Sequence, residues 1–152
     1  YFKVQVNPVN AVENLLNESK ALHKEIEKLQ KEQTHHLAAG LMKDAETLGS
    51  IVFLAKKVAV DPAQAKNLVH QLRATSNNMV VVLALENNGK VNLVVGISDA
   101  LVQTGKLHAG EIIKKITPFV KGSGGGQPQF AMSGGKDPSG IPQALAAAKE
   151  MF

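Results

Sequence analysis

Lys121-Gly-Ser-Gly-Gly-Gly-Gln-Pro-Gln-Phe-Ala-Met-Ser-Gly-Gly135 is the stretch on which the fold of this chain turns. Six of the chain's 13 glycines fall within it, four of them between Gly122 and Gly126. Glycine loses more conformational freedom on folding than any other residue. A cluster is therefore costly unless the backbone needs positive φ angles or must approach something closely. A row of unobstructed N–H groups suits an anion, phosphate above all. The place of the stretch matters as much as its composition. An amphipathic pattern from Leu107 to Val120, carrying Ile112, Ile113 and Ile116, predicts a helix before it, and Phe130 to Ser133 predicts a short strand after the first glycine cluster.

That order excludes the common nucleotide fingerprints. A dinucleotide fold sets Gly-x-Gly-x-x-Gly between a strand and a helix, and here Gln127 stands at the third glycine position. A P-loop ends in Gly-Lys-Ser/Thr. Gly135-Lys136 is followed by Asp137, and the first glycine would fall on Phe130. ATP hydrolysis by this chain is not expected. The residues alone leave two readings of the segment, an anion- or nucleic-acid-binding loop and a flexible connector. Pro128 restricts the loop's exit. The pair Gly134-Gly135 precedes a helix start at Asp137-Pro138, where Lys136 and free N–H groups could receive a phosphate.

Upstream, Ile51 to Val60 reads as a buried strand, and Asp61-Pro62 as an N-cap and first-turn proline opening a helix with Ala65, Leu68, Val69 and Leu72 on one face. Met79 to Leu85 and Val91 to Ile97 are strands joined through Asn87-Asn88-Gly89, a hairpin signal. Ile141, Leu145 and Ala148 mark a closing helix. The order β-α-β-β-α-β-α predicts an α/β (α+β) domain with a mixed sheet flanked by helices.

Residues 8 to about 46 read as one long helix. Val12, Leu15, Leu22, Ile26 and Leu29 repeat at coiled-coil spacing, with Gln33 and His36 taking over where the aliphatic stripe fades. Such a helix would run roughly 55–60 Å. It is expected to be a helical arm, residues 1–47, available for dimerisation, with the globule at 48–152. Charge follows the same division. Residues 1–47 hold six Lys and seven Asp/Glu, a net of −1, and residues 48–152 hold 11 Lys/Arg and six Asp/Glu, a net of +5. The basic excess therefore lies with the glycines, where a polyanion would be met.

With no cysteine, the chain has neither a disulfide framework nor a Cys-based zinc site, and this fits a reducing cytosol. No apolar run approaches the ~20 residues of a membrane span, and no signal peptide opens the chain. The first residue is Tyr1 rather than Met, so a longer parent polypeptide is expected. Glu32 and His35 have the spacing of one carboxylate–histidine metal pair, but the sites that use it need further Glu ligands that are not found. No Ser/His/Asp set or carboxylate pair supports catalysis. Lys114-Lys115 and Lys56-Lys57 read as solvated faces, one of each pair able to flank the glycines. His108 sits at a helix start.

Taken together, His108-Ala109-Gly110-Glu111, then Lys121-Gly122-Ser123-Gly124-Gly125-Gly126-Gln127-Pro128, then Ala131-Met132-Ser133-Gly134-Gly135 and Asp137-Pro138-Ser139-Gly140-Ile141, form a pattern. It resembles the C-terminal domain (C-Ala) of alanyl-tRNA synthetases, a member of the DHH-associated domain family. The resemblance covers the whole chain, because that domain also has a helical arm ahead of a small globule. It implies a non-catalytic, cytoplasmic tRNA-binding module that contacts the outer corner of tRNA, where the D and T loops meet. It further implies partnership with upstream aminoacylation and editing domains and dimerisation through the arm. No cofactor is implied for this fragment, since ATP, magnesium and zinc belong to upstream domains of such a parent. The RNA-binding residues implied are Lys121, Gly122, Ser123, Gly124, Gly125, Gly126, Gln127, Pro128, Gly134, Gly135 and Lys136, with His108, Lys114 and Lys115 nearby. Two positions depart from the family's habit: Gln127 stands where Arg is common, and Ser123 where Gly is usual. The alternatives are the substrate-binding tail of a DHH-type phosphodiesterase and a purely structural dimerisation module.

Overall fold

A computed structural model describes residues 8–152. Helix α1 spans Pro8–Met42. It ends short of the expected residue 46, because Lys43, Asp44 and Ala45 donate back to the Gly40, Leu41 and Met42 carbonyls in a tightened last turn. A short strand follows, β1 (Glu46–Leu48), which turns through Gly49 at φ +61° to pair antiparallel with β2 (Ile51–Val58). Three residues are too few to show a two-residue period, so β1 was not legible in the sequence.

Helix α2 (Pro62–Thr75) starts as expected. The Asp61 carboxylate accepts the Gln64 N–H at 2.7 Å, and Ala65, Leu68, Val69 and Leu72 are buried. Strands β3 (Met79–Asn87) and β4 (Lys90–Ile97) form the expected hairpin, with Asn88 and Gly89 both at positive φ, as its two-residue turn requires. A short helix, α3 (Asp99–Gln103), comes next and was not anticipated. The helix expected over 107–120 is shorter: α4 covers Ala109–Ile116, and Pro118, which has no N–H to donate, sits in a 3-10 turn at Thr117–Val120. Then come β5 (Ser123–Gly126), β6 (Phe130–Gly135) and α5 (Ile141–Lys149).

The six strands form one mixed sheet in the order β1-β2-β3-β4-β6-β5, with β2 and β3 parallel across the α2 crossover and the other neighbours antiparallel. Both faces of the sheet are covered. On one, Val80, Val82, Leu93, Val95 and Ile97 meet Ile112, Ile113, Ile116, Ile141 and Ala144 from α4 and α5. On the other, Leu54, Val81, Leu83, Leu85 and Val94 meet Leu68, Val69 and Leu72 of α2 with Ala38 and Leu41 of α1. Strand β3 lies between the two cores, and for that reason it is an unbroken apolar run from Met79 to Leu85.

The chain divides into two compact units, 1–33 and 34–152. The second reaches back past the expected boundary at 48, because Thr34, Ala38 and Leu41 are already buried. In the first, Val12, Leu15, Leu22, Ile26 and Leu29 are all exposed.

Candidate nucleic-acid interface

The glycine run, expected as a loop, is a strand. Residues Ser123 to Gly126 form the edge of the sheet and pair antiparallel with β6, Ser123 opposite Gly134 and Gly126 opposite Ala131. None of these glycines has a positive φ. What most of them serve is close approach. A Cβ on Gly124 would lie 2.1 Å from the Ser133 Cβ, and one on Gly126 would lie 2.4 Å from the Ala131 Cα. Helix α4 also presses on this strand, so that a Cβ on Gly110 would fall 2.8 Å from the Gly126 carbonyl oxygen. Gly125 differs: a Cβ there would meet nothing within 4 Å. The strand is exposed along its whole length. One side of its backbone belongs to β6. The other side is a sheet edge without side chains beyond Ser123, and in this register the Gly124 and Gly126 N–H groups point along it, away from β6.

At the N-terminal end of β5 the register assembles a groove of about 410 Å³. Val91 lies opposite Gly135 and Asn92 opposite Gly134, while Ser123 flanks Gly134 from the other side. Lys90, Asn92, Lys121, Gly122, Ser123, Gly134, Gly135 and Lys136 line it together. Lys121 takes the left-handed conformation, φ 50°, as it closes the 3-10 turn. Its ammonium pairs with Asp137 at 2.8 Å, and this hydrogen bond raises the lysine's pKa. The same bond, reinforced by the Ser139 hydroxyl, pulls the Asp137 carboxyl down to about 2. Lys90 and Lys136 have no ion-pair partner among the described residues.

One expectation at this end is corrected. The N–H groups of Lys136 and Asp137 both go to the Val120 carbonyl, and that of Ser139 goes to the Asp137 carboxylate. The helix start that was to receive a phosphate is therefore already occupied by the chain itself, and only the Lys136 side chain remains for the role. Lys90 and Asn92 were missed, since only strand pairing brings residues more than forty positions apart in the sequence to one place.

Other expected site residues lie at the far end of β5. Gln127, Pro128 and Gln129 form the β5–β6 turn, with the Gln127 N–H donating to the Phe130 carbonyl at 2.8 Å. The Gln127 side-chain oxygen accepts from Gln129 at 2.9 Å. The Ala109 N–H donates to the Pro128 carbonyl at 2.8 Å, fixing the start of α4 against this turn. His108 precedes α4 without capping it, and its Nδ1, like the Ser133 hydroxyl, is buried with no hydrogen-bond partner among the described residues. Arg73 is a basic group bound to this turn: its guanidinium donates to the Gln129 and Ile97 carbonyls and pairs with Asp99, each at 3.3 Å. Phe130 stacks on His70 at 5.1 Å and packs, partly buried, against the α2-facing core. Burial, and then Arg73 and Lys66, lower the His70 pKa. Lys114 and Lys115 are exposed on α4 and do not line the groove. His35 bonds Gln71 rather than joining a metal-ligand set.

Comparison with known proteins places this geometry. The DHHA1 domain matches residues 49–152. Alanine–tRNA ligase of Christiangramia forsetii is 36% identical over 96% of this chain, and that of Neisseria gonorrhoeae 40% identical over 86%. The chain spans only 17% and 15% of those two relatives. Among solved structures, the C-Ala domain of Aquifex aeolicus alanyl-tRNA synthetase superposes with a TM-score of 0.66 at 31% identity, over 70% of this chain and 96% of that one. RecJ of Thermus thermophilus shares the fold, at a TM-score of 0.62 and 14% identity, over 91% of this chain and 18% of that one. With its glycine edge strand set against α4 and its likeness to alanyl-tRNA synthetase C-Ala domains in both sequence and structure, the chain belongs to the DHHA1 domain family.

Proposed function

We propose that this chain is a non-catalytic tRNA-binding module, the C-terminal part of an alanine–tRNA ligase acting in the cytoplasm. Its surface for the outer corner of tRNA is the open edge of β5 together with the lysine groove beside it. One observation carries this reading: a sheet edge almost without side chains ends in a groove where Lys90, Lys121 and Lys136 converge. Backbone N–H groups and ammonium groups are both donors to phosphate oxygen, and they need no particular base, which suits recognition of a folded RNA by shape. Gln127, Pro128 and His108 would contact the RNA from the α4 end of the strand. Holding the corner of the tRNA here would let upstream aminoacylation and editing domains share one molecule. The exposed stripe Val12, Leu15, Leu22, Ile26 and Leu29 supports dimerisation through a second copy of the helix.

The test is tRNA affinity measured against salt concentration. Removing one lysine from a phosphate should flatten the slope of log affinity against log salt by roughly 0.7–0.9. The Lys90→Ala/Lys136→Ala double variant is expected to weaken binding and to flatten the slope by about 1.5. Affinity that is independent of salt, or unchanged in the double variant, would overturn the reading.

A further inference from the structure

We propose that Asn92 is the residue by which the groove distinguishes RNA from DNA, through a hydrogen bond to a ribose 2′-hydroxyl of the strand it holds. This rests on the RNA-binding reading above and adds a specificity element to it.

Asn92 stands on β4 opposite Gly134, half-buried in a groove whose other polar side chains are those of Lys90, Lys121, Lys136 and Ser123. Among the described residues its side chain makes one hydrogen bond, a long 3.5 Å contact from Nδ2 to the Ser133 carbonyl oxygen. A carboxamide carries two N–H donors and an oxygen with two lone pairs, so one donor and the whole acceptor remain uncommitted. Lysines only donate, and donation is all that a phosphate oxygen can use. The free Oδ1 has nothing to accept from a phosphate. A 2′-hydroxyl both donates and accepts, and it is the group that separates RNA from DNA at a contact. The groove has no aromatic lining on which a base could stack, which favours the sugar over a base as the part of the strand that faces Asn92.

Gly134 supplies an independent observation. Its φ is not in the left-handed region, and a Cβ added there would meet only the Asn92 Nδ2, at 4.0 Å. The fold therefore has no need of glycine at this position, unlike at Gly124 or Gly126. What the missing methyl group does is leave the Asn92 amide open toward the groove.

The experiment compares binding of the chain to a tRNA transcript and to an all-deoxy strand of the same sequence. The wild type is expected to prefer the transcript. Asn92→Ala should lower affinity for the transcript by about three- to tenfold, the worth of one hydrogen bond, and leave the deoxy strand unaffected. The salt slope should not change, because no charge is removed. Gly134→Ala, which leaves Asn92 in place but covers it, should shift the RNA-to-DNA ratio in the same direction, and it remains a test should Asn92→Ala melt early. If the wild type binds tRNA but neither variant changes the ratio, this inference is overturned and the RNA-binding reading stands. If the wild type binds neither strand, both fail.

Discussion

Replacing Gly125 and Gly124 separately by alanine divides what the fold requires from what a ligand requires. A Cβ on Gly124 would lie 2.1 Å from the Ser133 Cβ and 2.5 Å from its Cα. Carbon atoms rest at roughly 3.5–4.0 Å, so β5 would have to withdraw from β6 by more than an ångström, enough to weaken their hydrogen bonds. Overpacking of this kind costs about 1–3 kcal/mol. For a unit the size of residues 34–152 that is a fall in Tm of roughly 3–12 °C. A Cβ on Gly125 meets nothing within 4 Å, and its φ suits an L-residue. Gly125→Ala should therefore leave stability unchanged or raise it by up to about 1 kcal/mol, since alanine has less freedom to lose on folding. Binding should move the other way. A methyl group at Gly125 holds a phosphate away from the outward N–H groups of Gly124 and Gly126 on either side, and the loss of one charge-assisted hydrogen bond lowers affinity about tenfold or more. Thermal melting and tRNA titration of both variants read the two effects. A Gly125→Ala protein that binds tRNA like the wild type would refute the role given to the bare edge, and a Gly124→Ala protein with wild-type Tm would refute the packing argument.

Three further outcomes are expected. Asp137→Asn keeps an oxygen for the Ser139 N–H but removes the charge that holds Lys121. It should tighten tRNA binding at low salt and steepen the salt slope by up to about 0.9, and an unchanged slope would mean that Lys121 does not face the RNA. Acid melting should show the same ion pair. The Asp137 carboxyl titrates at about 2 against about 3.9 when unfolded, so its contribution is complete above roughly pH 4 and is lost as the pH falls toward 2. Asp137→Asn should melt with a shallower pH dependence in that window, and identical profiles would count against the pair. Leu15→Lys/Ile26→Lys should shift any dimer seen by sedimentation to monomer without lowering the melting of residues 34–152, whereas a dimer that survives would place association elsewhere.

Local chemistry was legible where one segment contains the whole cause. The Asp61-Pro62 start of α2, the apolar face of that helix and the Asn88-Gly89 hairpin each follow from a few adjacent residues and appear as read. The mixed sheet followed from their order. Elements whose cause is distant were misread or missed. Strand β1 exists because β2 offers it an edge, and the glycine run is a strand because β6 and α4 lie too near for side chains. Glycine composition signals that a backbone must be bare, and it is silent on whether a neighbour or a ligand makes the demand.

The sequence by itself thus determined the longer helices, the β3–β4 hairpin turn, the α/β order and the concentration of positive charge beside the glycines, all properties of residues within a turn or two of each other. Only the tertiary structure decided which glycines serve packing and which lie open. It also decided that Asp137 restrains Lys121, and that Lys90 and Asn92 belong to the groove. The physical reason is register: hydrogen bonding between β4 and β6 brings Asn92 opposite Gly134, and no local pattern records which strand will be the neighbour.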